Sequence, residues 1–150
     1  MARINFAFGA SERISQACQT TLKQYLAGQK LLVYCSDMAR LRLYDQRLWA
    51  VDEAAFVPHV WIDDPLAATT PILLVAKDLQ GALDKVPAES WFLNLDDACP
   101  PSFGALTRVL EIVSEDPEDK DAARQRWLTY KAAGHDLKSY ALQATTRSQD

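Results

Sequence analysis

The sequence predicts a single α/β domain with a mostly parallel sheet flanked by helices, and three observations carry that expectation. Strand, helix, strand and helix patterns alternate within the first fifty residues, the signature of a right-handed βαβ unit. The apolar run Lys30 to Cys35 (KLLVYC) has no polar alternation, as in a parallel strand buried on both faces. With 150 residues, 49% of them hydrophobic, the chain can bury one core and gives no sign of a second domain, so residues 1–150 are one unit.

The elements follow in order. Arg3 to Phe8 reads as the first strand, ended by Gly9. Ser11 can cap the next helix, in which Ile14, Cys18, Leu22, Tyr25 and Leu26 recur at helical spacing until Gly28. After the Lys30 to Cys35 strand, Ser36 or Asp37 caps a helix from about Met38 to Leu48, with Leu41, Tyr44 and Leu48 on one side. Within Asp52 to Asp64, Pro58 denies FVPHVW a central-strand position and leaves an edge segment or loop. Pro71 to Ala76 and Ser90 to Leu95 are further strands, joined by a turn-rich stretch with room for one helical turn. Phe103 to Val113 fits a helical start followed by a strand. Asp116, Pro117 and Glu118 open a last helix, with the proline near its first position, and Gly134 stops it.

Charge and cysteine usage narrow the function. A net charge of −4 argues against non-specific binding to nucleic acid or anionic membranes. Cys18, Cys35 and Cys99 form no CxxC pair and suit a reducing compartment, so a cytoplasmic protein without a membrane span is expected. His59 and His135 lack ligand-spaced partners, so no metal and no cofactor are expected. The turns after the first two strands, FGASER and CSDMAR, hold neither GxGxxG nor GxxxxGK[ST], so the fold is expected to be Rossmann-like without a nucleotide-binding glycine loop. An enzymatic alternative is a small α/β hydrolase or nucleotide-dependent enzyme. It would use Cys35, placed at a strand end before a helix N-terminus, or the Asp96/Asp97 pair; Asp63 and Asp64 form a similar pair. A buried cysteine and ordinary turn aspartates explain the same residues, and the chemistry favours a binding domain over an enzyme.

Two clusters remain. On the last helix Lys120, Arg124, Trp127 and Lys131 stand at i, i+4, i+7 and i+11, one face that mixes cations with an indole and suits an anionic, partly apolar ligand. The same pattern is also that of a solvated charged face with Trp127 tucked into the core, as most such stripes are. Leu48-Trp49 and Phe56-Val57-Pro58-His59 gather large apolar groups that either cap the core or anchor a partner.

Together ARQRWLTYKAAGHDL and RLYDQRLWAVDEAAFVPH resemble the chi subunit of bacterial DNA polymerase III, in their order, their separation and the strand–helix opening. The resemblance spans essentially the whole chain. It implies a non-catalytic accessory protein of the replicative clamp loader, with a Rossmann-like fold lacking the nucleotide site. It implies two partners: the acidic C-terminal tail of single-stranded DNA-binding protein, ending in a phenylalanine with its free carboxylate, and the psi subunit. DNA would be met only indirectly, at the replication fork. Carried over residue by residue, the tail positions are Lys120, Arg124 and Trp127, with Gly134, Asp136 and Ser139 after the helix. Leu128 replaces a cation that relatives often carry, and Lys131 takes over part of its role. Trp49 and Phe56, with the adjoining Val57 and Pro58, match the psi-binding segment.

Overall fold

A computed structural model describes residues 2–52, 54 and 56–142. The chain runs β1 (Arg3–Ala10), α1 (Arg13–Leu26), β2 (Leu31–Tyr34), α2 (Met38–Trp49), β3 (His59–Trp61) and a short 3-10 turn (Ala67–Thr69). It continues through β4 (Ile72–Val75), α3 (Leu79–Leu83), β5 (Trp91–Asn94), β6 (Arg108–Ser114), α4 (Pro117–Ala132) and β7 (Asp136–Ala141). The seven strands form one sheet in the order β3-β4-β2-β5-β6-β1-β7, and every pairing is parallel.

The period-two alternation of strand side chains divides the core into two layers. Leu31, Val33 and Cys35 of the β2 segment pack with Ile14, Cys18 and Leu22 of α1 and with Leu41, Tyr44 and Leu48 of α2. Leu32 and Tyr34 turn the other way, toward Leu79 and Leu83 of α3 and Ala123 and Tyr130 of α4. Covered on both faces, β2 and β4 are apolar throughout, which is why they were legible as uninterrupted runs.

The structure corrects two expectations and adds a strand. Glu12, not Ser11, caps α1: its extended backbone lets the carboxylate accept from Ile14 N (2.6 Å) and Ser15 N (3.3 Å). Phe103 to Thr107 has no helix, and a strand alone follows, from Arg108. Beyond Gly134 the chain forms a seventh strand, which extends the sheet beside β1. The segment containing Pro58 does lie at an edge, with β3 pairing β4 alone.

Gly9 shapes the carbonyl end of β1. Its φ of +92° accompanies a bulge in which Phe8 opposes Val113 and Ala10 opposes Ser114. Ala10 thereby joins the α1 layer, and Phe8 stays on the α4 face, 44% exposed.

Candidate functional site

In a doubly wound sheet the expected ligand crevice lies where neighbouring strands send their helices to opposite faces. Here that place is between β1, which leads to α1, and β6, which leads to α4, and a cleft of about 400 Å³ opens there. Its walls carry five carboxylates, Glu12, Asp97, Asp116, Glu118 and Asp119, against the guanidinium groups of Arg13 and Arg40. The chain's own acids occupy backbone donors that a phosphate would need. Asp116 caps α4 at Glu118 N (2.9 Å), Glu12 caps α1, and Asp119 accepts from Ser114 N (2.7 Å). Buried Arg13 donates to the carbonyls of Ile112 (3.0 Å) and Asp96 (2.9 Å), tying strand ends together.

One side of α4 anchors it. Arg126, 1% exposed, donates to Glu111 Oε1 (2.9 Å) and to the Asp97 carbonyl (2.9 Å). Glu111 Oε2 also accepts from Tyr130 Oη (2.6 Å) and Asn94 Nδ2 (2.8 Å). Burial, with the Glu111 charge adding to it, pushes the Tyr130 phenol upward, so it stays a donor.

The other side of α4 carries the cationic stripe. Trp127 is half-buried and meets Phe6 of β1 edge-on, with ring centroids 5.2 Å apart. Its neighbours Lys120, Arg124, Leu128 and Lys131 are all exposed. Lys120 pairs with Glu115 and Arg124 with Asp121, each at 3.0 Å. Exposed pairs of this kind hold weakly, so an incoming anion can replace them. The indole is thus partly core and partly wall, and the cations are solvated.

Ser139 joins this group, and Asp136 does not. Register pairs Ser139 with Phe6 and Leu137 with Ile4, which places their side chains on the α4 face. Asp136 pairs with Arg3 one step out of phase, so it turns to the α1 face, where Arg3 Nε lies 3.9 Å from its carboxylate. Gly134, with φ +87°, ends α4 and supplies the bend into β7. Phe8 completes the surface: register pairs it with Ala141 on the α4 face. Phe8 was missed because an apolar residue at a strand end reads as core.

The second cluster also divides. Trp49 (54% exposed) and Phe56 (61%) stack with centroids 5.2 Å apart, and His59 lies against Trp49 at 4.5 Å. The His59 ring is held between the Val57 carbonyl (2.7 Å) and Asp45 (2.8 Å), which braces the aromatic pair. Val57 is buried among α1 and α2 side chains, and Pro58 is half-buried.

The enzymatic candidates are tied into structure. Cys35 is fully buried with Sγ 3.3 Å from Asp96 Oδ1, and its pKa is pushed up to about 12, chiefly by burial. A thiol so held is a proton donor, not a nucleophile. Asp96 also accepts from Ser36 N (2.8 Å), while Asp97 is held by Arg40 at 3.1 Å, the hydrogen bond that chiefly lowers its pKa. Asp64 caps a turn at Leu66 N (2.8 Å). Among the described residues no three His, Cys, Asp or Glu side chains gather as metal ligands, and no helix is long and apolar enough to cross a membrane.

These features define a class: a doubly wound α/β domain without the phosphate-binding loop, exposing cationic and aromatic side chains near the two edges of its sheet. Within that class the chain belongs to the DNA polymerase III chi subunit (HolC) family, whose pattern matches residues 1–138. It is 28% identical over 148 residues to the DNA polymerase III subunit chi of Pseudomonas aeruginosa, covering 95% of this chain and 98% of that one. It is 27% identical over 124 residues to the subunit of the same name from Haemophilus influenzae, covering 81% of each. To that of Escherichia coli it is 22% identical over 120 residues, covering 80% of this chain and 79% of the other. Its family therefore places it among the subunits of a replicative DNA polymerase.

Proposed function

We propose that this chain is a non-catalytic accessory subunit of DNA polymerase III that tethers single-stranded DNA-binding protein to the clamp loader, in the cytoplasm at the replication fork. The flank of α4 receives the acidic tail: Lys120, Arg124 and Lys131 take its carboxylates, and Trp127, Leu128 and Phe8 take the ring of its terminal phenylalanine. The exposed Trp49–Phe56 pair, with Pro58 beside it, receives the psi subunit. The observation that carries this reading is the half-buried Trp127 flanked by solvated cations on an otherwise acidic protein. Mixed apolar and cationic surface is what a peptide of carboxylates ending in an aromatic residue requires.

A single weak contact serves such a tether well, because many tails on one coated strand raise the effective concentration. Calorimetric titration with a synthetic acidic peptide ending in phenylalanine tests the reading. Binding should be micromolar, should fade with salt, and should be lost when the terminal phenylalanine is removed. The double variant Arg124→Ala, Trp127→Ala, checked by circular dichroism to be folded, should weaken binding at least ~30-fold, about 2 kcal/mol. Wild-type affinity in that folded variant would sink the assignment.

A further inference from the structure

The open edge of β7 carries an inference about how a peptide is held, and it rests on the reading that the α4 flank binds an acidic tail. Asp136 N donates to the Ala2 carbonyl (3.0 Å) and Leu142 N to the Phe8 carbonyl (2.9 Å). Backbone groups alternate along a strand, so those of Lys138 and Tyr140 also face β1, and those of Leu137, Ser139 and Ala141 face outward. No strand pairs with this outer edge among the described residues.

The edge lies under the cationic flank. Arg126 sits on the side of α4 toward β5 and β6, bonded to Glu111 and Asp97. Trp127 sits on the opposite side, against Phe6 of β1, and the stripe of Lys120, Arg124 and Lys131 runs beside it on the wheel. Beneath that flank β7 presents the small side chains Ser139 and Ala141 beside the exposed Phe8. On the other face of β7, exposed Lys138 pairs in register with Asn5 and has no carboxylate within 4.0 Å among the described residues. Open edges are normally guarded, and a central lysine is a common guard. An acidic strand turns that guard into a partner.

We infer that the acidic peptide binds by strand addition to β7, its backbone pairing with Leu137, Ser139 and Ala141. Its side chains alternate between the α4 flank, where cations and Trp127 meet them, and the α1 face, where Lys138 does. The occupant is an extended acidic peptide, because cations stand on both faces of the edge. Main-chain bonds supply affinity without demanding a fixed sequence, and the cations of the α4 flank with Lys138 on the other face favour carboxylates on both sides of the added strand.

Amide hydrogen exchange by NMR on the full chain, with and without a saturating synthetic acidic peptide ending in phenylalanine, tests this. The amides of Leu137, Ser139 and Ala141 should exchange at least ~10-fold more slowly in the complex, and those of Lys138 and Tyr140, already bonded to β1, should not change. Lys138→Glu, on the face away from α4, should weaken the peptide at least ~3-fold, because a strand's alternate side chains reach both faces. A saturated complex in which those three amides exchange at the free rate overturns strand addition and leaves the α4 flank as the docking surface. A peptide that fails to saturate the chain overturns the docking reading as a whole.

Discussion

At the scale of single residues, Glu12 shows how much local order one carboxylate can hold. Its side chain accepts from Ile14 N and Ser15 N and pairs with Arg47 of α2, so it caps α1 and joins two helices. Burial pushes the carboxyl up, but the hydrogen bonds from Ile14 and Ser15 and the Arg47 charge outweigh it, leaving a pKa below the ordinary 4.5. A pKa depressed by folding means that the contribution is complete above pH 4.5 and is lost as pH falls through the folded value. Glu12→Gln should therefore lower the melting temperature at pH 7 by about 3 °C, the scale of one N-cap. The gap between variant and parent should shrink below pH 4.5. Melting curves from pH 3 to 8 check it, and a gap that persists undiminished at the acid end would show that the cap does not act through its charge. Ser11 had looked the better cap because serine ranks high in general statistics. A longer glutamate reaching forward two and three residues carries no comparable signal in sequence.

At the scale of elements, legibility followed burial. Strands β2 and β4 are covered on both faces, and α1 and α2 each bury one stripe, so hydrophobic periodicity marked all four. The α4 helix was found through its Asp116-Pro117 start and its Gly134 stop, although it buries only Ala123, Arg126 and Tyr130. That buried arginine was missed, because its partner Glu111 lies fifteen residues away in the middle of a strand. Strand β7 was missed for a related reason. Four of its six residues are exposed, and an edge strand held by main-chain bonds to β1 has no need of apolar alternation. The candidate site inherits both limits: spacing marked Lys120, Arg124, Trp127 and Lys131 on the helix, whereas Asp136 and Ser139 came only through the family resemblance and register alone shows which face each takes. Gly134 joins the halves, since its φ of +87° ends α4 two residues before β7 begins to pair. Gly134→Ala places a Cβ in the left-handed region and should cost about 1–2 kcal/mol. Urea unfolding should show a lower midpoint at unchanged slope; an unchanged midpoint would mean that the turn rearranges freely.

At the scale of the whole molecule, the sheet acts as a spacer. The proposed tail surface lies at β7 and α4, and the Trp49–Phe56 pair stacks against His59 of β3, the strand at the opposite edge. Six strand spacings separate the two edges, about 29 Å at the usual 4.8 Å per strand. Between them stand fully buried side chains such as Leu31, Ile72, Phe92 and Val109. A core packed in this way does not slide, so a ligand at one edge has no differential contact to transmit to the other. Under the proposed function both partners would then be held at once without either altering the other's affinity, as a tether needs, whereas a switch would need coupling. Trp49→Ala with Phe56→Ala should abolish capture of the psi subunit while leaving tail-peptide affinity within about 0.5 kcal/mol of the parent, as for sites this far apart. The combined four-residue variant, with Arg124→Ala and Trp127→Ala added, should lose each partner by the amount its own pair dictates. Calorimetry of each partner in the presence and absence of the other closes the cycle. A coupling above about 1 kcal/mol would mean that the sheet carries a signal between its edges. The rigid spacer would then give way to a two-state domain.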